Sequence, residues 1–474
     1  MRGGVGVGAG ALAAVVLLAG CGGSGDGSGK GGSEGPGERK PSAVKKAAPL
    51  DVPPGYRSAQ GWDETLAWVP RSVFTIPAEV TEDQVGAMQA SSDGYTVRVR
   101  DAADGKVRWT SAAWQPPTPV EGAEGGPESD DARVEIPGLS TVEIDGSDHF
   151  VAWAHGLRGK DELHEGTEIL RLAVYPADAR GTGVKPLREI DVPLSASPGE
   201  FDLHGGQDGR LLVSWGDDGP FPSSTAVVDL VSGKVTVHED SDTLLPECAE
   251  QLSCVGGRVV GVADGTPLVT VDGGGFGLAG RWHSDAVIPP GAPKTSGWSP
   301  NGLVYGTTDG RVLAAWRPKP FAEGEAAHPV WSVHDMRTGQ LLASMRCANE
   351  VPQSARGKRD SGVGTSLNGR FLFAGPVTFD LERKKGLCLA GDGNRKTVLV
   401  ASVDDRGAAY GAVERSADTE TSTLVRLDLT APAGSPEPLD PGTEVPIAMD
   451  LKGHGLFITR DENEAVLISL RRRS

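Results

Sequence analysis

The chain has 474 residues, with 64 Asp and Glu against 46 Lys and Arg, and its formal net charge is −18. This balance argues against nucleic-acid binding, which depends on Lys and Arg neutralising phosphates, and against binding along an anionic lipid surface. An acidic chain favours solubility and can attract basic partners. We therefore predict no nucleic-acid partner.

The first residues have the features of an export signal. Arg2 is the only charged residue before Cys21, and residues 11–19 are apolar, a run of signal-peptide length that is too short to span a bilayer. The sequence LAGC at 18–21 resembles the lipobox of bacterial lipoproteins. The resemblance implies a signal peptide over 1–20, cleavage between Gly20 and Cys21, and acylation of Cys21. The alternative is an ordinary secretory signal cut near the same place.

Residues 21–50 contain mainly Gly, Ser, Pro and charged residues, with almost no apolar residue before Val44. Such a segment cannot bury enough apolar surface to fold. We predict a disordered tether with an r.m.s. reach of about 30 Å, followed by one domain over 51–474. No other apolar run approaches the length of a membrane span. The expected location is the extracytoplasmic face of the cell membrane, with membrane lipid as the partner of the acyl anchor.

The domain consists of short runs of alternating apolar residues separated by Asp-Gly or Asn-Gly pairs. These pairs occur at 93–94, 208–209, 264–265, 309–310 and 368–369. Such a pair between two alternating runs is a strong local signal for a β-hairpin. The sequence therefore predicts an all-β domain.

A longer repeat lies over these hairpins. Three segments share a strand, an Asp, three residues, a Gly and a second strand, and their motif residues are Asp101, Gly105, Lys106 and Trp109, then Asp229, Gly233 and Lys234, then Asp335 and Gly339. Weaker copies follow at Asp380 and Asp428. A period of roughly 40 to 50 residues with four strands is typical of β-propellers. The pattern D-x-x-T-G-K-x-x-W resembles the PQQ-like propeller repeat, in which we expect these residues to be structural.

We predict a single β-propeller of seven or eight four-stranded blades, with eight favoured. The third strands of the blades are expected near residues 97, 171, 227, 277, 332, 378, 425 and 467. The C-terminal stretch offers only three strands, so we expect residues 65–70 to supply the fourth and to close the ring by pairing N- and C-terminal strands. A closed ring needs no partner to fold, which predicts a monomer. Two separate β-domains are the alternative.

Four cysteines remain after the lipobox: Cys248, Cys254, Cys347 and Cys388. An even number in an exported chain suggests disulfides, and four cysteines allow three connectivities. We favour Cys248–Cys254 and Cys347–Cys388. A metal site is the alternative, but the spacings are not C-x-x-C and no histidine cluster accompanies them. We therefore predict no metal.

The resemblance to PQQ-like repeats raises the question of a quinoprotein enzyme. The catalytic site of that family uses an acidic base, a bound calcium or lanthanide and two adjacent cysteines, whereas no two cysteines are adjacent here. Neither G-x-S-x-G nor H-E-x-x-H is present. We predict no cofactor, PQQ included, and no catalytic residue.

Four tryptophans, Trp62, Trp114, Trp282 and Trp298, lie nearer loops than strands, where an exposed ring could bind a sugar or a peptide. The predicted function is a non-enzymatic scaffold that binds a protein, a peptide or an envelope glycan. The alternatives are a degenerate PQQ-type or other propeller enzyme, and a sensor ectodomain that partners a membrane protein.

Overall fold

The structure is a computed structural model. It describes residues 47–73, 76–119, 136–194, 200–205, 209–216, 224–238, 244–245, 255–272, 275–292, 302–316, 328–348, 362–392, 394–413, 423–431, 436–461 and 464–474. These residues form an all-β propeller of eight blades, and each blade is built on a four-stranded antiparallel sheet. The prediction of eight blades is confirmed.

The first four blades follow each other along the chain. Blade 1 consists of β2 (Ala78–Val80), β3 (Gln84–Ser91), β4 (Gly94–Asp101) and β5 (Val107–Ser111). Blade 2 consists of β6 (Gly138–Ile144), β7 (Ser147–Arg158), β8 (Thr167–Pro176) and β10 (Arg188–Pro193), while β9 (Gly181–Val184) pairs in parallel with β5 as a fifth strand of blade 1. Blade 3 consists of β11 (Glu200–Gly205), β12 (Arg210–Gly216), β13 (Ser224–Asp229) and β14 (Val235–His238). Blade 4 consists of β15 (Val255–Ala263), β16 (Thr266–Asp272), β17 (Gly275–Leu278) and β18 (Trp282–His283), followed by a 3-10 turn at Ser284–Ala286.

The other four blades complete the ring. Blade 5 consists of β19 (Leu303–Thr308), β20 (Arg311–Trp316), β21 (Val330–Asp335) and β22 (Leu341–Arg346). Blade 6 consists of β23 (Val363–Thr365), β24 (Phe371–Ala374), β25 (Val377–Asp380) and β26 (Lys385–Cys388). Blade 7 consists of β27 (Val398–Val403), β28 (Ala408–Val413), β29 (Leu424–Asp428) and β30 (Glu437–Pro438). Blade 8 consists of β31 (Ala448–Leu451), β32 (His454–Arg460), β33 (Val466–Arg473) and β1 (Tyr56–Leu66).

The third strand of every blade lies where the repeat predicted it. The eight expected positions fall within β4, β8, β13, β17, β21, β25, β29 and β33. In five of the blades the third strand ends at a motif aspartate, because it enters the hairpin that carries this residue. The repeat signal therefore located one strand per blade, and the four-strand rule supplied the others.

The N-terminal strand closes the ring. β1 pairs antiparallel with β33, from Trp62 opposite Leu470 to Leu66 opposite Val466. The predicted closure is confirmed, but the strand is Tyr56–Leu66 and not residues 65–70. The apolar side chains beyond Leu66 fill the seam between blades 8 and 1, where Val69 is buried and Trp68 packs beside it.

Each blade is a meander of antiparallel strands, so its connections alternate between the two faces of the ring. The hairpins between first and second strands and between third and fourth strands lie on one face, here called the turn face. The remaining connections lie on the other face, here called the loop face. Two predicted Asp-Gly hairpins are present on the turn face, where Asp264, Gly265, Asp309 and Gly310 have φ of 48°, 72°, 45° and 68°. Positive φ at both central residues is the requirement of a type I′ turn.

The core is divided among the boundaries between blades. Within the described ranges, eight clusters of buried apolar side chains each join two neighbouring blades. The boundary between blades 1 and 2, for example, contains Val99, Trp109, Phe150 and Tyr175, all with an exposed fraction of 0 %. Among all the residues that the structure describes, no helix is long and apolar enough to cross a membrane.

Candidate functional site

The repeat-motif residues form outer hairpins on the turn face. The glycine N–H donates to the carbonyl oxygen of the aspartate four residues earlier, at 2.9 Å for Gly105 and Asp101, 2.7 Å for Gly233 and Asp229, and 2.8 Å for Gly339 and Asp335. All three glycines have φ near +70°, which a side chain would strain. The aspartate N–H in turn donates to the carbonyl oxygen of Lys106 or Lys234 at 2.9 Å in the first two hairpins.

Outer-strand tryptophans attach blades to the hairpins of their neighbours. Trp62 of blade 8 donates its Nε1–H to Ala102 O of blade 1 at 3.1 Å, and a Cβ added at Gly105 would lie only 2.5 Å from the Trp62 ring. Trp282 of blade 4 lies in the same way over Gly339 of blade 5, with a corresponding distance of 2.7 Å. These contacts require glycine, because any side chain would displace the ring.

Trp109 makes a related contact between blades 1 and 2 by donating its Nε1–H to Ala177 O at 3.1 Å. Trp62 and Trp114 do not offer the exposed rings that could bind a sugar or a peptide, since they are 1 % and 4 % exposed. Trp282 is half-buried between its blade and Gly339. Trp298 lies outside the described residues. The described members of this set are packing residues, because their rings fill seams and hairpins.

One of the two predicted disulfides is present. Cys347 follows β22 of blade 5 and is bonded to Cys388 at the end of β26 in blade 6, with a Cα–Cα distance of 5.3 Å. The bond joins the outer strands of neighbouring blades. The predicted partners Cys248 and Cys254 lie outside the described residues, as do Gly20 and Cys21 of the lipobox.

A cleft of about 440 Å³ opens on the turn face between blades 1 and 2. It is lined by Gln84, Ile144, Asp145, Ser147, Asp148, His149, Ala177 and Asp178. These residues come from the first-to-second hairpins of both blades and from the end of β8. Sequence reasoning did not identify this site, because its two sides are more than 50 residues apart along the chain.

The seam beside this cleft contains buried polar side chains. Gln84 is 5 % exposed and Thr141 is 2 % exposed, and neither Gln84 Oε1 nor Thr141 Oγ1 has a hydrogen-bond partner. Leu139 packs toward blade 1, so strand alternation directs Thr141 toward blade 1 as well. A buried acceptor without a partner costs about 1–3 kcal/mol. The two orphan oxygens therefore mark a place where a donor-bearing group would be stabilised.

A buried carboxyl group belongs to the same seam. Glu79 lies on β2 and is 7 % exposed, and burial raises the pKa of its carboxyl well above the usual range. Its neighbours Ala78 and Val80 pack in the seam with blade 8, so alternation directs Glu79 toward blade 2. The inner strands β2 and β6 are in contact. Glu79 and Thr141 therefore lie on facing surfaces of the two blades.

Asp148 is the residue of the cleft whose pKa is most clearly changed by its surroundings. Burial, followed by repulsion from Glu143, Asp83 and Glu82, raises the pKa of its carboxyl to about 6. No ion pair links Asp148 to a cation among the residues that the structure describes. Its negative charge is therefore held at a cost in the folded protein.

We expect Asp148→Asn to stabilise the protein at pH 7.5. In the folded chain Asp148 titrates near pH 6 instead of 3.8, so the folded state binds more protons between these values and its stability falls as the pH rises through that window. Because Asp148 is partly exposed, we expect the substitution to raise the free energy of unfolding by only about 1–2 kcal/mol. Urea unfolding at pH 7.5 and pH 4 measures it.

The gain should shrink to a small part of its value at pH 4, where the carboxyl is protonated in the folded state and partly protonated in the unfolded state. Asp93→Asn is the matched control, because Asp93 is exposed in the β3–β4 hairpin of the loop face. An Asp148→Asn variant as stable as the wild type at pH 7.5 would show that Asp148 is not held in a repulsive site.

The described residues offer no preformed metal centre. In these parts of the chain, no group of three or more His, Cys, Asp or Glu side chains converges in a way that could hold a metal ion. The lining of the cleft is instead rich in hydrogen-bond acceptors of negative charge. Such a lining binds groups that donate hydrogen bonds and carry positive charge.

Comparisons with known proteins show no family for the chain. No family model matches the sequence, and no curated protein matches it. Among solved structures, the chain is similar to the β-propeller domain of the Trilobed protease from Pyrococcus furiosus, with 10 % identity, a TM-score of 0.34 and coverage of 84 % of this chain and 93 % of that one. It is also similar to the uncharacterised protein lmo1340 from Listeria monocytogenes, with 8 % identity, a TM-score of 0.35 and coverage of 87 % of this chain and 92 % of that one. A third similar structure is TolB from Acinetobacter baumannii, with 11 % identity, a TM-score of 0.24 and coverage of 84 % of this chain and 81 % of that one.

Proposed function

We propose that this protein is a lipid-anchored binding module that acts outside the cytoplasm, as a scaffold for a protein, a peptide or an envelope component. The observation that supports the proposal is the attachment of the described N-terminus. Ala48 donates its N–H to Asp63 Oδ2 at 2.9 Å, and its carbonyl oxygen accepts from Arg471 Nη2 at 2.8 Å. Both partners belong to the outer strands of blade 8.

This attachment has a consequence for presentation. Because β1 is the outermost strand of blade 8, a tether that precedes Ala47 would leave from the rim of the ring. Both faces would then stay accessible while acyl chains on Cys21 hold the protein at the membrane. A flexible tether over residues 21–46 would let either face meet a partner.

The proposed scaffold is a PQQ-like propeller without a cofactor. The Asp-to-Gly hairpins of three blades and the indole contacts of Trp62 and Trp282 support this relationship, because they join successive repeats through the motif residues themselves. The blades then act as a rigid frame, and the binding chemistry resides in surface connections and clefts. The role is non-enzymatic in this proposal.

We expect Cys21→Ala to move the protein from the membrane fraction to the soluble fraction, or to leave it as an unprocessed precursor. The reason is that the side chain of alanine cannot be acylated, and each buried methylene of an acyl chain contributes about 0.8 kcal/mol to membrane affinity. Fractionation, together with the intact mass of the N-terminal peptide, measures the change.

Ser24→Ala is the matched control, because it lies just beyond the lipobox and should leave anchoring intact. Continued membrane retention of Cys21→Ala at the mature mass would contradict the anchor. The binding role is tested with a photo-crosslinking residue at Asp145, an exposed position on the turn face, in intact membranes. A discrete adduct supports the module, and the absence of adducts at both Asp145 and Asp93 argues against it.

A further inference from the structure

We infer that the cleft between blades 1 and 2 binds a positively charged side chain of the partner, an arginine guanidinium or a lysine ammonium. The inference rests on the proposed binding function and specifies its chemistry. It follows from one juxtaposition: the buried side-chain amide oxygen Oε1 of Gln84, which has no hydrogen-bond partner, belongs to a residue that lines the same cleft as the Asp148 carboxylate.

The first argument is hydrogen bonding. Gln84 is only 5 % exposed, yet its Oε1 receives no hydrogen bond in the described structure. Such an acceptor is stabilised only when a donor reaches it, and a charged donor contributes about 1.5–3 kcal/mol. Guanidinium and ammonium groups have several N–H donors and no acceptor, so they can donate to Gln84 Oε1 and to the carboxylates of the lining without adding an unpaired acceptor.

The second argument is charge. The titratable and charged groups around Asp148, taken from every element packed against it, are Glu82 and Asp83 before β3, Glu143 and Asp145 at the β6–β7 hairpin, Asp178 after β8, and His149 on β7. Three described cations contact members of this group: Arg108 Nη2 lies 2.7 Å from Asp83 Oδ2, Arg180 Nη1 donates to Asp178 O at 3.0 Å, and Lys452 Nζ lies 3.8 Å from Glu82 Oε1. None of the three forms an ion pair with Asp148 in the described structure. The repulsion that raises the pKa of Asp148 would be relieved by a cationic occupant.

The third argument is size. A cleft of about 440 Å³ is many times the roughly 30 Å³ that one water molecule occupies, so a bare ion would leave it mostly filled with solvent. An extended basic side chain can enter from the turn face with its apolar stem along Ile144 and Ala177 and its charged end at the carboxylates. The geometry therefore favours an organic cation over a metal ion, consistent with the lack of a three-ligand set among the described residues.

The test uses the purified full chain in detergent and three small probes: N-acetyl-arginine amide, N-acetyl-lysine amide and the neutral N-acetyl-glutamine amide. We expect calorimetry at pH 7.5 to show saturable binding of at least one cationic probe and none of the neutral probe. Gln84→Met and Asp148→Asn should each weaken that binding about tenfold or more, the equivalent of one charged hydrogen bond. Asp93→Asn, the same charge change on the loop face, should alter it less than twofold.

Three results would overturn the inference. The first is that neither cationic probe binds at about 10 mM, which is near the weakest affinity worth measuring. The second is that the neutral probe binds as well as the cationic ones. The third is that Asp93→Asn weakens binding as much as the cleft variants do, which would indicate diffuse electrostatic attraction. Failure here is distinguishable from failure of the proposed function. If a crosslinked adduct forms at Asp145 in membranes but neither cationic probe binds, only the inference of a cationic ligand is rejected. If no adduct forms at any position, the proposed binding function is rejected.

Discussion

Arg471→Met should lower the free energy of unfolding by about 3–5 kcal/mol. Arg471 is fully buried on β33, and its guanidinium binds Asp63 Oδ1 at 2.7 Å. It also donates to the carbonyl oxygens of Ser58 at 2.9 Å and Ala48 at 2.8 Å. One side chain thus joins the C-terminal strand, the N-terminal strand and the segment that precedes it.

The cost arises because methionine fills the volume but leaves the Asp63 carboxylate without its cation. Arg472→Met is the matched control, since Arg472 is the exposed neighbour on the same strand and should change the stability by less than about 0.5 kcal/mol. Adding Asp63→Asn to Arg471→Met should recover part of the loss, because it removes the orphan charge. Guanidinium unfolding provides the energies, and hydrogen exchange should show that β1 opens first. Equal stability of the two methionine variants would disprove the closing role of Arg471.

A second contact at the closure crosses to blade 1. Glu64 of β1 is 7 % exposed, and its carboxylate accepts from Arg100 Nε at 2.8 Å, Arg98 Nη1 at 3.1 Å and Gln89 Nε2 at 3.0 Å. β1 is therefore fixed on both sides, through Arg471 to its own blade and through Glu64 to the next. A ring closed in this way can hold surfaces on different blades at constant distances, which the proposed scaffold role requires.

The fold was largely accessible from the sequence because its signals are local. An Asp-Gly pair at 264–265 or 309–310 needs positive φ within a single turn, and the Asp101-to-Gly105 hairpin is complete within five residues. Counting such units gave eight third strands and the eight blades. The closing strand was misplaced because most of its outer residues are polar and exposed, and its inward alternation becomes visible only from Trp62 onward.

The cleft was not accessible in the same way, because it depends on register between blades. Gln84 is the first residue of β3 and Asp148 the second residue of β7, and only the stacking of blade 1 on blade 2 brings them to one seam. One signal was present, a polar residue on the packed side of a strand. Gln84 lies on the same side of β3 as Gly86 and Met88, and both of these residues pack against blade 2. A polar residue at an inward position is the kind of inconsistency that marks functional sites. The fifth strand β9 likewise had no local signal, since its pairing with β5 joins two blades.

The disulfide between blades 5 and 6 leads to the second large effect. Cys347 and Cys388 are 41 residues apart, so their bond closes a loop that spans most of blade 6. In the chain-entropy account such a loop corresponds to about 4 kcal/mol of stability, through restriction of the unfolded chain. Cys347 is 2 % exposed within the seam of these blades, so reduction in the folded state should be slow.

Replacement of both cysteines by alanine should therefore lower the free energy of unfolding by about 4 kcal/mol, and either single replacement should cost nearly the same, because each abolishes the same bond. Cys248→Ala with Cys254→Ala is the matched control: a bond across that short loop would contribute only about 2 kcal/mol. Guanidinium unfolding with and without reductant, with alkylation to count free thiols, separates the pairs. If the Cys347/Cys388 variant unfolded at the wild-type midpoint, blades 5 and 6 would be held by their apolar seam alone. The expected loss instead implies that blade 6, whose strands have only three or four residues, depends on the covalent link to its neighbour.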